Sequence, residues 1–347
     1  MKFKIFGFLL PILLILACSN NAKKTSESPL MIPRVSKPWS EALLLVGDGQ
    51  TLHSDFTLIK DKLDQWHCIG TFGIEPDGKG DGWAESDGYS LFHAVGSLEK
   101  PMTVLPKIYN QTETSRPVIM WAPGAVWDID GTTAYLYYFH HYGWEWEDGK
   151  AIAQIMSDKH ACRLLTSNNP DLSTWSPYEG AALQEQNIIF KEIDQRDFQV
   201  FWDDRLQTYL MYYCSSLASG SRVRTSKDLL HWSEPVTILT SPPGDPHGYA
   251  ESPFVLYRDG YYYLWVSGID YSRVALYISE DPFNFGHAID NRIEYTPGHA
   301  PEIVSENGVD YMACSMVSTF PSTYPAEHDL QGILIQPIQW EKAEAGI

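Results

Sequence analysis

The chain repeats itself, and the repeating unit is a pair of strands. Five segments of the 347-residue sequence read alike: HSDFTLI at 53–59, WAPGAVW at 121–127, QRDFQVF at 195–201, ESPFVLY at 251–257 and HAPEIV at 299–304. Each opens on polar residues around a Pro or Phe and continues as a short β-branched and aromatic stretch, the composition of a half-buried strand. Asp130-Gly131, Asp259-Gly260 and Asn307-Gly308 then supply turns that favour a tight hairpin. A second strand is expected at 65–71, 134–139, 208–213, 261–266 and 310–315. A further echo, TSNNPDLSTW at 166–175, TSKDLLHW at 225–232 and ISEDPFNF at 278–285, reads as an outer strand, a turn and an aromatic residue covering the edge of the unit.

Aligned on Phe56, Pro123, Phe198, Pro253 and Pro301, the units are spaced by 67, 75, 55 and 48 residues, too uneven for a regular solenoid. Blades of about four strands with loops of variable length accommodate that spread, and no stretch shows sustained helical periodicity. The predicted fold is therefore all-β, a five-bladed β-propeller. The longest insert, at 75–88 in blade 1, is rich in Gly and Asp and reads as a surface loop.

The N-terminus stands apart from the repeats. Lys2 and Lys4 precede an apolar run over 5–16 that ends in Ile15-Leu16-Ala17-Cys18, the pattern of a secretory signal rather than a spanning helix. It resembles a bacterial lipobox, which implies that Cys18 is the lipid-modified first residue of an extracytoplasmic protein. The domain plan that follows is a signal peptide at 1–17, the lipidated Cys and a polar tether at 18–40, and a single propeller at 41–347. Contact with the membrane is expected through the anchor only, and the chain is expected to be a monomer. With 25 Lys and Arg against 44 Asp and Glu, the formal charge of −19 excludes nucleic acid as a partner, because binding a polyanion needs a cationic surface.

Four cysteines remain in the body of the chain. Cys68, Cys214 and Cys314 fall near the ends of second strands in blades 1, 3 and 5, and Cys162 lies elsewhere. A disulfide needs Cα atoms within roughly 7 Å, which whole sheets between alternate blades do not allow. Buried free thiols are expected.

In a propeller the first strand of each blade lines the central channel, so the polar residues at the starts of those strands converge: Asp55, Trp121, Arg196, Asp197, Glu251 and His299. Three carboxylates in one funnel are costly, since each raises its neighbours' pKa and must be desolvated. Such a grouping suits glycosidic bond cleavage, which needs one protonated carboxyl for the leaving oxygen and one ionised carboxylate on the opposite face of the sugar.

With these motifs in order, residues 43–340 resemble glycoside hydrolase family 43 and its five-bladed relatives, including the family 32 fructosidases. The resemblance implies Asp55 as base or nucleophile, Asp197 in the Arg-Asp-Phe segment as a residue that tunes the acid and holds substrate, and Glu251, two residues before Pro253, as general acid. It implies a blade-5 histidine near the axis, matched by His299. No cofactor is required, and the metal the resemblance leaves room for is a structural Ca2+ at the propeller axis with His299 beside it. Phe56 and Phe198 depart from the family's Pro after the Asp, Gly124 stands where some members carry an acid, and the family 32 Trp-Met-Asn-Asp-Pro-Asn-Gly signature is missing.

Candidate sugar-contacting residues are Trp121, Trp127, Arg196, His140, His141, His247, Tyr249, Arg273 and His299, since aromatic faces stack on sugar rings and Arg holds hydroxyls or carboxylates. Trp127 also fits an inter-blade core position. His140 and His141 are adjacent in a strand and so point to opposite faces, which argues against a metal pair. The acids at 77–81 lack a full EF-hand pattern. The expected activity is a glycosidase acting on the ends of plant or algal oligosaccharides or polysaccharides, in the manner of an arabinofuranosidase, xylosidase or galactosidase. The competing expectation is a non-catalytic sugar-binding propeller. Within the site, Asp197 is expected to be ionised and to raise the proton affinity of Glu251, with Arg196 turned to the other face of its strand.

Overall fold

A computed structural model describes residues 28–49, 52–73, 90–109, 119–141, 144–147, 150–154, 161–185, 187–192, 195–215, 220–240, 249–268, 273–316 and 331–343. The signal segment, Cys18, the 75–88 insert and His247 lie outside them. The five repeats are the inner strands of five antiparallel sheets: Leu52–Lys60, Ile119–Trp127, Gln195–Asp203, Tyr249–Arg258 and His299–Glu306. Each pairs with its second strand, Trp66–Gly73, Ala134–His141, Thr208–Ser215, Tyr261–Gly268 or Val309–Met316, and then with a third. The propeller expected from the repeats is the observed architecture. Among the described residues one short 3₁₀ turn, Trp39–Glu41, is the only helical element.

Two of the three expected hairpins follow the turn chemistry, while at Asp130-Gly131 only Gly131 is left-handed and Asp128 pairs with Thr133 across a longer loop. Asp259 and Gly260 have φ of +50° and +100°, and Asn307 and Gly308 have +52° and +80°, two successive left-handed residues as a type I′ turn requires.

The ring closes with strands from the start of the chain. Gln331–Lys342 pairs through its first half with Leu43–Gly49 and through its second half with Met31–Val35, so both termini build blade 5. The ordered fold thus reaches back past residue 41, where the sequence placed its boundary. Residues 31–35 are short and carry one charge, which hid an edge strand inside the expected tether.

The core is distributed. Five apolar clusters lie between successive blades, such as Phe56, Cys68 and Phe92 of blade 1 against Ala300, Ala313 and Ile333 of blade 5. Trp175 and Phe285 are buried at the outer turns, as the third echo implied. Trp127 is an inter-blade residue: its Nε1 donates to the Lys60 carbonyl at 2.8 Å, and Lys62 lies over its ring. All four body cysteines are free and buried. They do not share one register position on the inner strand: Cys68 pairs with Leu58, Cys214 with Arg196, and Cys314 lies opposite the bulge between the His299–Ser315 and Glu302–Ala313 pairs.

Polar clasps repeat between inner strands. Thr57 Oγ1 accepts the Ala125 N–H at 3.3 Å, Gln199 Oε1 accepts the Val255 N–H at 3.4 Å, and the Glu302 carboxyl accepts the Leu58 N–H. These three residues each follow the aligned Phe or Pro of their blade. Gly124 holds the same place in blade 2, where an added Cβ would lie 1.9 Å from the Phe198 carbonyl oxygen. Close approach of two backbones is therefore why no acid stands at Gly124.

Candidate active site

Each inner strand begins with the same distortion. Asp55, Ala122, Asp197, Ser252 and Ala300 have φ of +38°, +46°, +62°, +47° and +47°, and the strand register shifts at all five places. These are β-bulges, which re-aim side chains and break the two-residue alternation of a strand. The five bulged residues and the Phe or Pro after each, with Gln199 and Glu302, line a small axial cavity of about 20 Å³.

The bulge explains how acids from two sequence positions meet. Asp55 and Asp197 occupy the bulge itself, whereas Glu251 stands one residue earlier, in register with Ser54, Trp121, Arg196 and His299. The three carboxylates are thus not at one equivalent place. Nevertheless they join one network: His299 Nε2 lies 2.9 Å from Asp55 Oδ1, the Ser252 hydroxyl donates to the same oxygen at 3.1 Å, and the Ser252 N–H donates to Asp197 Oδ2 at 2.8 Å. Arg196 Nη2 donates to Glu251 Oε1, and its Nε is 3.9 Å from Asp197 Oδ2. The guanidinium therefore does not face away, as strict alternation would have it. The left-handed residue after it turns it into the site.

The network separates the two aspartates electrostatically. Burial alone would raise the Asp55 carboxyl, but the charge and hydrogen bond of His299, the Ser252 hydroxyl and Arg196 together hold it below the ordinary carboxylate value. Burial pushes Asp197 up to about 7; Arg196 opposes this, while the charges of Asp55 and Glu251 add to it. The expectation of an ionised Asp197 is therefore replaced by one that holds its proton up to neutrality. His299, which burial alone would push down, is raised by Asp55 and by the other two acids.

His299 is at the axis, buried against Asp55, and not on the outer rim. Among the described residues no group of three His, Cys, Asp or Glu is arranged to hold a metal ion. Trp121 is half-buried at the start of blade 2, its ring 6.5 Å from Phe139. His140 is fully buried and accepts from Arg163 Nε at 3.1 Å, a contact internal to blade 2. Arg273 begins the third strand of blade 4, two strands from the axis, with its guanidinium 4.9 Å from the Tyr295 ring centre. Tyr249 opens the inner strand of blade 4 opposite Gly268. Ser252 escaped the sequence reading, although alignment on the Phe/Pro positions puts it in the column of Asp55 and Asp197.

No family model matches the chain, and no curated protein does. Solved structures do. A GH43 beta-xylosidase/alpha-arabinofuranosidase from a compost microbial metagenome superposes with a TM-score of 0.58 at 17% identity, over 91% of this chain and 100% of that one. A GH43_1 enzyme from Xanthomonas citri complexed with xylose gives 0.57 at 15%, over 86% and 89%. A native Bacillus subtilis arabinanase gives 0.55 at 16%, over 84% and 96%. At these identities the likeness is one of fold, and the fold shared with these enzymes is the five-bladed β-propeller.

Proposed function

We propose that the protein is a glycoside hydrolase that removes terminal sugars from plant or algal oligosaccharides or polysaccharides, anchored outside the cytoplasm through Cys18. The observation that carries this reading is the meeting of Asp55, Asp197 and Glu251 in one charge and hydrogen-bond network with Arg196, Ser252 and His299 at the propeller axis. Glu251 is the general acid for the leaving oxygen. Asp55, held ionised, is the base that activates water or the nucleophile that attacks the anomeric carbon. His299 and Ser252 both bond to Asp55 Oδ1, which leaves the lone pairs of Oδ2 for water or sugar. Protonated Asp197 offers the sugar a hydrogen-bond donor from the cavity wall.

Arg196 donates to Glu251 Oε1, so the proton for the leaving oxygen sits on Oε2. Structures of this fold include GH43_1 enzymes complexed with xylose and xylotriose and a Bacillus subtilis arabinanase, which supports a pentose-containing substrate and an arabinofuranosidase or xylosidase preference over a galactosidase. Screening aryl β-xylosides, α-arabinofuranosides and galactosides, with xylo- and arabino-oligosaccharides, for sugar release is the test. Release of single sugars is the expected result. Binding to an immobilised glycan without release from any of these would show a sugar-binding propeller instead.

A further inference from the structure

Ser252 lies between the two aspartates and bonds to both with different groups. Its left-handed φ of +47° sends the N–H towards blade 3, where Asp197 Oδ2 accepts it at 2.8 Å, while the hydroxyl crosses to blade 1, where Asp55 Oδ1 accepts it at 3.1 Å. The bulge itself sets the N–H bond, as it does for Ala122 to Thr71 Oγ1 and Ala300 to Ser267 Oγ, but it does not supply the hydroxyl bond. Ala122 and Ala300 adopt the same backbone, with φ of +46° and +47°, and have no hydroxyl to give. Blade 4 is thus the one blade whose bulge carries a short hydroxyl, and it precedes Pro253 directly after Glu251.

We propose that Ser252 is a positioning residue for the carboxylate pair: its hydroxyl fixes the orientation of Asp55 and its main-chain N–H that of Asp197, so that one residue sets both acids relative to Glu251 beside it. The proposal deepens the glycosidase reading and rests on it for its catalytic consequence. The titratable and charged groups facing the pair are His299 and Glu302 from blade 5, Arg196 from blade 3 and Glu251 from blade 4, while blade 2 contributes Ala122 and no charge. A hydrogen bond donated to a carboxylate favours its charged form. Of the donors to Asp55, the Ser252 hydroxyl can be removed without removing a charge, which makes its effect separable from that of His299.

Ser252→Ala tests this, because alanine already occupies the matching bulge in blades 2 and 5 and keeps the N–H to Asp197. Carbon-13 NMR titration of the Asp55 carboxyl, assigned with Asp55→Asn, should show its midpoint rise by roughly one pH unit, the size expected for losing one hydrogen bond to a charged group. In the glycosidase assay kcat should fall roughly tenfold with KM little changed, and the acid limb of the kcat/KM profile should rise with the NMR midpoint. Ser252→Gly should reproduce both shifts while melting no lower than wild type, since glycine favours positive φ. A merely structural serine would lower the melting temperature and leave the limb in place. If wild type releases no sugar but the midpoint moves, the hydrolase reading fails and the positioning role stands. An Asp55 midpoint that does not move, or an acid limb that does not follow it in an active enzyme, overturns the proposal.

Discussion

Blades 2 and 5 start with the same backbone as blades 1 and 3 but carry Ala122 and Ala300 where those carry Asp55 and Asp197. A left-handed φ is tolerated by Asp far better than by Ala. If the bulges existed only to be filled by residues that fit them, alanine would be a poor choice at either place. Its presence shows that the sheet register and the packing around the axis impose the bulge, whatever the side chain. The aspartates are therefore not needed to make the turn. They are placed on it, and the same turn brings Glu251 and Arg196 from the preceding position into the same site. Scaffold and chemistry are thus separable at the axis of this propeller.

The sharpest way to break that comparison is to remove charge without changing shape. Asp55→Asn and Glu251→Gln should each lower turnover by about a thousandfold or more, the loss expected for a nucleophile or a general acid–base group, with melting temperatures near wild type. Melting curves and kcat on a glycoside with a poor leaving group, such as 4-methoxyphenyl, check both halves. A large drop in melting temperature would mean that the acids hold the fold after all.

Next in size is a change to the scaffold alone. Gly124→Ala drives a methyl into the Phe198 carbonyl and should cost about 3 kcal/mol of stability, the scale of overpacking between two backbones. Denaturant unfolding reads it directly, and an unchanged midpoint would show that blades 2 and 3 are not locked at this point.

Asp197→Asn should be milder than Asp55→Asn. An amide imitates a protonated carboxyl, and Asp197 keeps its proton up to about pH 7. Below that pH the variant should retain activity within roughly tenfold of wild type, and the basic limb of its kcat/KM profile near neutrality should disappear. A limb that stays where it was in wild type would show that another group titrates there.

The smallest effect concerns the clasp from blade 5 to blade 1. Burial raises the Glu302 carboxyl well above its usual range, although the Leu58 N–H works against the shift. The folded protein therefore holds this proton more tightly than the unfolded chain. Its stability contribution is complete below the unfolded pKa of about 4.3 and is lost as pH rises towards the folded value. Glu302→Gln, which copies Gln199 in the blade 3 to blade 4 clasp, should flatten that fall. Melting temperature against pH for the two proteins measures it.

Much of the fold was legible because hairpin strands and their turn residues repeat in sequence as well as in space. Five inner strands, their partners and the edge aromatics Trp175 and Phe285 could all be read from residue order. Met31–Val35 could not, since its pairing partner lies some three hundred residues away and its own pattern is too short to declare a strand. Within the site the column of Asp55 and Asp197 was readable, while the consequences of its backbone were not. Alternation of side chains, the rule that turned Arg196 outward on paper, fails at a bulge. The same bulge lets the Ser252 N–H reach blade 3 and its hydroxyl reach blade 1 across the axis. Protonation was likewise out of reach, because the order of Asp55 and Asp197 depends on which of them receives His299 and which is buried beside two other acids.

The central claim is that Glu251 gives its proton to the leaving group at this ring of bulges. It is tested most directly by comparing Glu251→Gln with wild type on two aryl glycosides of the preferred sugar, one with a 4-methoxyphenyl and one with a 2,4-dinitrophenyl leaving group. A general acid matters only where the departing oxygen needs protonation, so kcat/KM should fall about a thousandfold on the first and by less than about tenfold on the second. Equal losses on both substrates would contradict the assignment of Glu251 as the acid.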